Sequence, residues 1–93
     1  MSENPDGVVF LCSISYKRKI PTGYCKYQLA NNTFVLLKIY DALGREIETL
    51  VKEKQNAGTF EVEWNASEYP SGVYFYRLTT GEFKETKKLI LLK

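Results

Sequence analysis

The sequence predicts an all-β fold, an antiparallel sandwich of about seven short strands. Three observations carry this. Thr59–Asn65 alternates without a break, with Phe60, Val62 and Trp64 on one face and Glu61 and Glu63 on the other, the pattern of a strand with one buried and one wet side. Pro70-Ser71-Gly72 is a turn that opens onto Val73-Tyr74-Phe75-Tyr76-Arg77-Leu78, a strand so rich in large rings that it is expected to lie centrally in a sheet. Similar runs recur along the chain between Gly, Asn and Pro turn residues, and no segment reads convincingly as a helix.

Taken in order, Met1–Asp6 is polar and is expected to fray. Val8–Tyr16 is the first strand, with Val8, Phe10, Cys12, Ile14 and Tyr16 sharing one face. Lys17–Gly23, with three basic residues, Pro21 and Gly23, is a connection. Tyr24–Leu29 alternates again, Cys25, Tyr27 and Leu29 against Tyr24, Lys26 and Gln28, and Asn31-Asn32-Thr33 is a tight turn. In Phe34–Tyr40 the inward set is Val35, Leu37 and Ile39. Asp41–Arg45 then turns on Gly44, the natural left-handed position. Glu46–Glu53 is the least regular strand, because Ile47 against Leu50 and Val51 mixes a period of two with a helical one. Asn56-Ala57-Gly58 closes it. After Thr59–Asn65 and the loop Ala66–Gly72 come the ring-rich strand, with Tyr74, Tyr76 and Leu78 on one face, and a turn at Thr80-Gly81-Glu82. The last segment, Phe83–Lys93, ends in an apolar run clasped by lysines, which protects an edge strand from aggregation. Seven strands so punctuated predict an immunoglobulin-like arrangement.

With 93 residues, 44% of them hydrophobic and 14% aromatic, the chain builds one small core. A net charge of +2 gives no footing for nucleic acid, and Lys17-Arg18-Lys19 reads as a solvated cluster. No apolar run is long enough to span a bilayer as a helix. Glu3 and Asp6 precede Gly7–Cys12 where a signal peptide carries positive charge, so no export signal is expected within these residues. Cys12 and Cys25 lack any cysteine framework around them and are expected to be free thiols rather than a bridge.

No catalytic constellation is present in the sequence. There is no histidine to act as base, no signature surrounds Ser13, Ser15, Ser67, Ser71 or either cysteine, and the glycines are scattered singly. Glu61 and Glu63 form a solvated face rather than a hydrolytic pair. Without histidine or further cysteine no zinc site is expected, and no cofactor. Tyr16, Tyr24, Tyr40 and Tyr69 are candidates for exposure, as sugar- or protein-binding rings or, the favoured reading, as rings capping the rim of a small core. Asn31-Asn32-Thr33 and Asn65-Ala66-Ser67 match glycosylation sequons but have the composition of ordinary turns.

From Tyr27 onward the chain resembles the C-terminal sorting domain, type A, of cargo secreted by the type IX (Por) system of Bacteroidetes. The resemblance rests on Val35–Ile47, Leu50-Val51, Ala57–Trp64, Pro70–Leu78 and Thr86–Lys93. It implies a non-enzymatic address tag with an immunoglobulin-like fold, appended to a secreted or surface protein that passes through the periplasm. The partners implied are the outer-membrane translocon and a sortase-like protease that removes the tag. Carried over position by position, the candidate recognition residues are Gly44, Arg45, Gly72, Tyr74, Lys87, Lys88, Leu89, Leu91 and Lys93. Each has a structural alternative: the glycines serve backbone geometry, Tyr74 fills core, and the lysines keep an edge soluble. Leu89–Leu92 is also an edge on which a second copy can pair. Residues 1–23 depart from the family pattern, since Ser13–Gly23 lacks the expected Asn-Pro-rich turn. They are read as a tail plus first strand ahead of a sorting-domain region at 24–93, in one compact domain. The chain is accordingly an excised domain, a truncated frame or a stand-alone relative. Two other readings compete: an immunoglobulin-like structural or adhesive module, more weakly similar to those of flagellar hook-cap proteins, and a carbohydrate-binding module.

Overall fold

A computed structural model describes residues 7–16, 19–81 and 83–92, and these form seven strands and no helix. The expectations placed on Met1–Asp6, Lys17, Arg18, Glu82 and Lys93 lie outside the described residues. The strands are β1 (Val9–Ser15), β2 (Thr22–Leu29), β3 (Thr33–Asp41), β4 (Glu46–Gln55), β5 (Gly58–Asn65), β6 (Gly72–Thr80) and β7 (Phe83–Leu91). They divide three on four, in the orders β1-β2-β5 and β4-β3-β6-β7, with every pairing antiparallel. The ring-rich strand is β6, and it lies between β3 and β7 as its composition predicts.

The two sheets close on each other through the residues whose parity marked them as inward. Tyr27, Val35, Leu37, Ile39, Tyr76, Leu78 and Leu91 are all within 1% of full burial. Parity also holds from Val8 into β1: Val8 and Phe10 are buried while Val9 and Leu11 face solvent. In β5 the same alternation buries Trp64 fully but Phe60 and Val62 only in part, because β5 is an edge strand and the core tapers there. Trp64 is the centre of an aromatic group, with ring centroids 5.2 Å from Tyr69, 5.5 Å from Tyr74 and 6.1 Å from Tyr76. At the other side of the core Tyr27 stacks on Phe60 at 5.4 Å and donates its hydroxyl to Gln55 at 2.5 Å.

The irregular spacing of β4 has a local cause. Its register against β3 shifts twice: Val51 pairs with Leu37 but Thr49 with Lys38, leaving Leu50 extra, and Glu48 pairs with Ile39 but Glu46 with Tyr40, leaving Ile47 extra. Each irregularity frees one residue from the ladder's alternation, and both freed residues, Ile47 and Leu50, pack against the core beside Val51.

The cysteines correct one expectation. Cys12 and Cys25 are joined in a disulfide rather than free. The β1–β2 register sets them directly opposite each other on the inward face, with Cα atoms 4.2 Å apart. That is the separation of a close antiparallel pair. Spacing along the chain carries no information on this register.

One glycine is required by a close approach. A Cβ on Gly23 would stand 2.0 Å from the hydroxyl oxygen of Tyr76 on the facing sheet and 3.3 Å from Trp64. Tyr76 is buried, with its ionisation pushed well above the usual range by desolvation, and its hydroxyl has no hydrogen-bond partner among the described residues. Gly23→Ala is expected to cost about 1–3 kcal/mol by overpacking. Tyr76→Phe, which removes the clashing oxygen, should recover most of that loss in the double variant. A double-mutant cycle by urea denaturation checks it; equal losses with and without the hydroxyl would show that the contact is not the cause.

Candidate functional site

The candidate residues are scattered through half the sequence, and the register of the four-stranded sheet gathers most of them at one end. Asp41, the last residue of β3, lies opposite Tyr74, and Tyr74 lies opposite Leu89. Gly72 lies opposite Leu91. The β3–β4 turn, the start of β6 and the end of β7 therefore share one pole. Between the turn and the β5–β6 loop runs an open groove of about 350 Å³, lined by Asp41, Leu43, Arg45, Ile47, Tyr69 and Pro70 among others.

Asp41 organises the turn. One carboxylate oxygen accepts from the backbone N–H groups of Leu43 and Arg45, each at 2.9 Å, and the other accepts from Arg45 Nε at 2.8 Å. These bonds, the Arg45 backbone N–H foremost, hold its ionisation below the usual carboxylate range. Gly44 adopts φ 83° with nothing within 4 Å of where a Cβ would stand. Its need is thus conformational. Gly72, at φ 155°, is equally open. Arg45 is the exposed member, with a side chain 72% accessible beyond its tie to Asp41.

Tyr74 is built into the wall. Its ring is buried against Trp64 and its hydroxyl donates to the Pro70 carbonyl at 2.5 Å, bracing the loop at residues 66–71. Tyr69 braces the other side, packed on Trp64 and donating to Glu48 at 3.1 Å. Burial is the main cause that raises the ionisation of both rings. Sequence reasoning does not single out Asp41, although the Asp-x-x-Gly spacing of the turn is a usable signal for it; it names Tyr69 only as one of four rings at the rim or surface, without its place in this wall.

The terminal candidates separate. Leu89 and Leu91 point into the core, while Ile90 and Leu92 are 52% and 65% exposed. Lys87 shares the inward parity of Leu89 and forms an ion pair with Glu85 at 2.8 Å along the rim. Lys88 points to the outer face, opposite Phe75. Lys93 lies outside the described residues. The edge of β7 that faces away from β6 has no partner strand within its sheet, and the Leu92 N–H donates to Tyr16 at 2.8 Å. A charged pair on the inward side of an edge strand is a recognised guard against edge-to-edge pairing.

No group of His, Cys, Asp or Glu among the described residues could hold a metal ion, and no helix there is long and apolar enough to cross a membrane. The molecule is a small β-sandwich module whose candidate determinants lie at one pole and along one open edge. Residues 21–92 match the family model described as the secretion system C-terminal sorting domain, and the chain belongs to that family. No curated protein matches it. The match starts ahead of Tyr27 and takes in all of β2 through Leu92, whereas β1, which completes the three-stranded sheet, precedes it. Membership supports a sorting-signal role, interaction with secretion machinery and a place within a secreted or cell-surface protein.

Proposed function

We propose that the domain is a non-catalytic address tag read by the outer-membrane translocon of the type IX system, and that a sortase-like protease removes it after passage. The observation that carries this reading is the convergence of the 41–45 turn, Gly72, Tyr74 and the end of β7 on one pole, beside an unpaired strand edge. Such an edge recognises a partner by adding a strand, with main-chain hydrogen bonds for affinity and alternate side chains for specificity. In this reading Leu89 and Leu91 anchor the ribbon in the core, and Lys88, Ile90, Lys93 and the exposed head of Arg45 meet the receptor. Gly44, Gly72 and Tyr74 keep the pole in shape, and the Glu85–Lys87 pair limits pairing with a second copy.

The test is a fusion of residues 1–93 behind a signal peptide and a reporter in a type IX-competent bacterium. The intact domain is expected to carry the reporter to the surface or medium. Ile90→Glu with Leu92→Glu, at two exposed positions, is expected to leave it in the periplasm while the purified variant keeps its melting temperature. Export of the folded variant at the wild-type level would overturn the assignment to this edge. Retention of the intact fusion in the periplasm would overturn the sorting role itself.

A further inference from the structure

The outer face of the four-stranded sheet concentrates positive charge that the rest of the molecule does not share. Register places Lys38, Lys52, Lys54, Arg77, Lys84 and Lys88 on this face, against Glu46 as its one carboxylate among the described residues. The outer face of the three-stranded sheet carries the opposite balance, with Lys26 flanked by Glu61 and paired rows including Glu63. The positive face is also ordered. Lys52 and Lys54 stand on one margin and Lys84 and Lys88 on the other, while Leu36, Tyr40, Phe75 and Arg77 occupy the middle strands.

At its centre one cation is held ready. The Arg77 guanidinium carbon sits 4.8 Å over the Tyr40 ring, and Arg77 Nε donates to Thr86 Oγ1 at 3.3 Å. These two contacts fix the plane of the fork. Unlike Lys38, which is tied to Glu46 at 2.9 Å, Arg77 has no carboxylate partner among the described residues. Beside it lies a groove of about 440 Å³ lined by Tyr40, Leu43, Phe75 and Thr86. A planar donor pair suits a carboxylate bidentately, and Arg and Tyr at the middle of a patch rimmed by lysine is the composition of a protein-binding centre.

We propose that this face docks an acidic protein segment, which seats one carboxylate on Arg77 and an apolar side chain in the groove walled by Leu43 and Phe75. The lysine margins steer the segment and meet its remaining carboxylates. A peptide presents an acidic and an apolar group a few residues apart, which a uniformly charged polymer does not. At the centre of the face Tyr40 and Phe75 lie half-buried within the sheet, while the exposed apolar groups on this side are Phe34, Leu43 and Ile90. The proposal does not depend on the translocon reading: the two share Lys88 on the outward side of β7, but Arg77 and the groove beside it belong to this one alone.

The test uses the 93-residue chain and an octapeptide of glutamates containing one phenylalanine, followed by amide chemical shifts. Binding with a Kd below about 1 mM is expected, with shifts centred on Tyr40, Phe75, Arg77 and Thr86 and loss of affinity on raising salt. Arg77→Gln and, independently, Lys88→Glu should each weaken it about tenfold, the loss expected for a charge-assisted contact. Glu61→Gln on the opposite face should leave it unchanged. Equal binding of the all-glutamine peptide, shifts on β2 and β5, or indifference to both variants would overturn the proposal. Tighter binding to polygalacturonate or to phosphatidylglycerol vesicles would overturn it in favour of a glycan or a membrane.

Discussion

Replacing Cys12 and Cys25 together by alanine is expected to destabilise the domain by about 3 kcal/mol, the chain-entropy value for a loop of this size. The bridge closes a sequence separation of 13 residues. For a domain of this length the loss corresponds to a fall in melting temperature on the order of 10–20 °C. The damage should be uneven. β1 makes its pairing with β2 alone and lies at the edge of its sheet, so amide exchange should rise first there. Val8 and Phe10, which β1 delivers to the core, would then leave it. A reducing agent should reproduce the effect in the wild-type protein and have none on the double variant. Identical melting curves with and without reductant would show that β1 holds by packing alone.

Trp64→Ala is expected to cost about 3–5 kcal/mol, the range for deleting a large buried ring. Small domains are stable by about 5–15 kcal/mol in all, so this variant alone takes a large share. Trp64 is 2% exposed and touches Tyr69, Tyr74 and Tyr76, so the vacancy opens where three rings meet rather than at a flexible rim. Two of those rings brace the 66–71 loop and the groove, so the pole should loosen with the core, and reporter export should fall with it. Glu63→Ala, one residue away on the wet face, is expected to change stability by less than about 0.5 kcal/mol. Thermal unfolding followed by far-ultraviolet circular dichroism compares the two. A loss below about 1 kcal/mol for Trp64→Ala would place the centre of the core elsewhere.

Much of the fold is legible without coordinates, and the reason is local. A strand buried on one side must alternate, and the alternation in β5 and β6 names its own inward set. The turn at Asp41–Arg45 announces itself through an acceptor side chain and a glycine. The place where legibility fails, β4, is where a bulge breaks parity. The site was legible as a set of residues through a family resemblance, though not as an arrangement. Parity alone separates Lys87 from Lys88, since Leu89 and Leu91 set the inward phase. Reading the lysines as a single clasp overlooks it.

What the sequence by itself determined is which residues face inward, where the chain turns, and the sorting family that it joins. Each of these depends on neighbours a few positions apart or on a pattern repeated among relatives. What only the tertiary structure decided is which strands lie side by side and in what register. That choice made Cys12 and Cys25 partners, placed Gly23 under the Tyr76 hydroxyl, brought residues 41, 74 and 89 into one row, and assembled the lysines of three strands into one charged face. Strand register is settled by the joint packing of both sheets, and no single segment contains it.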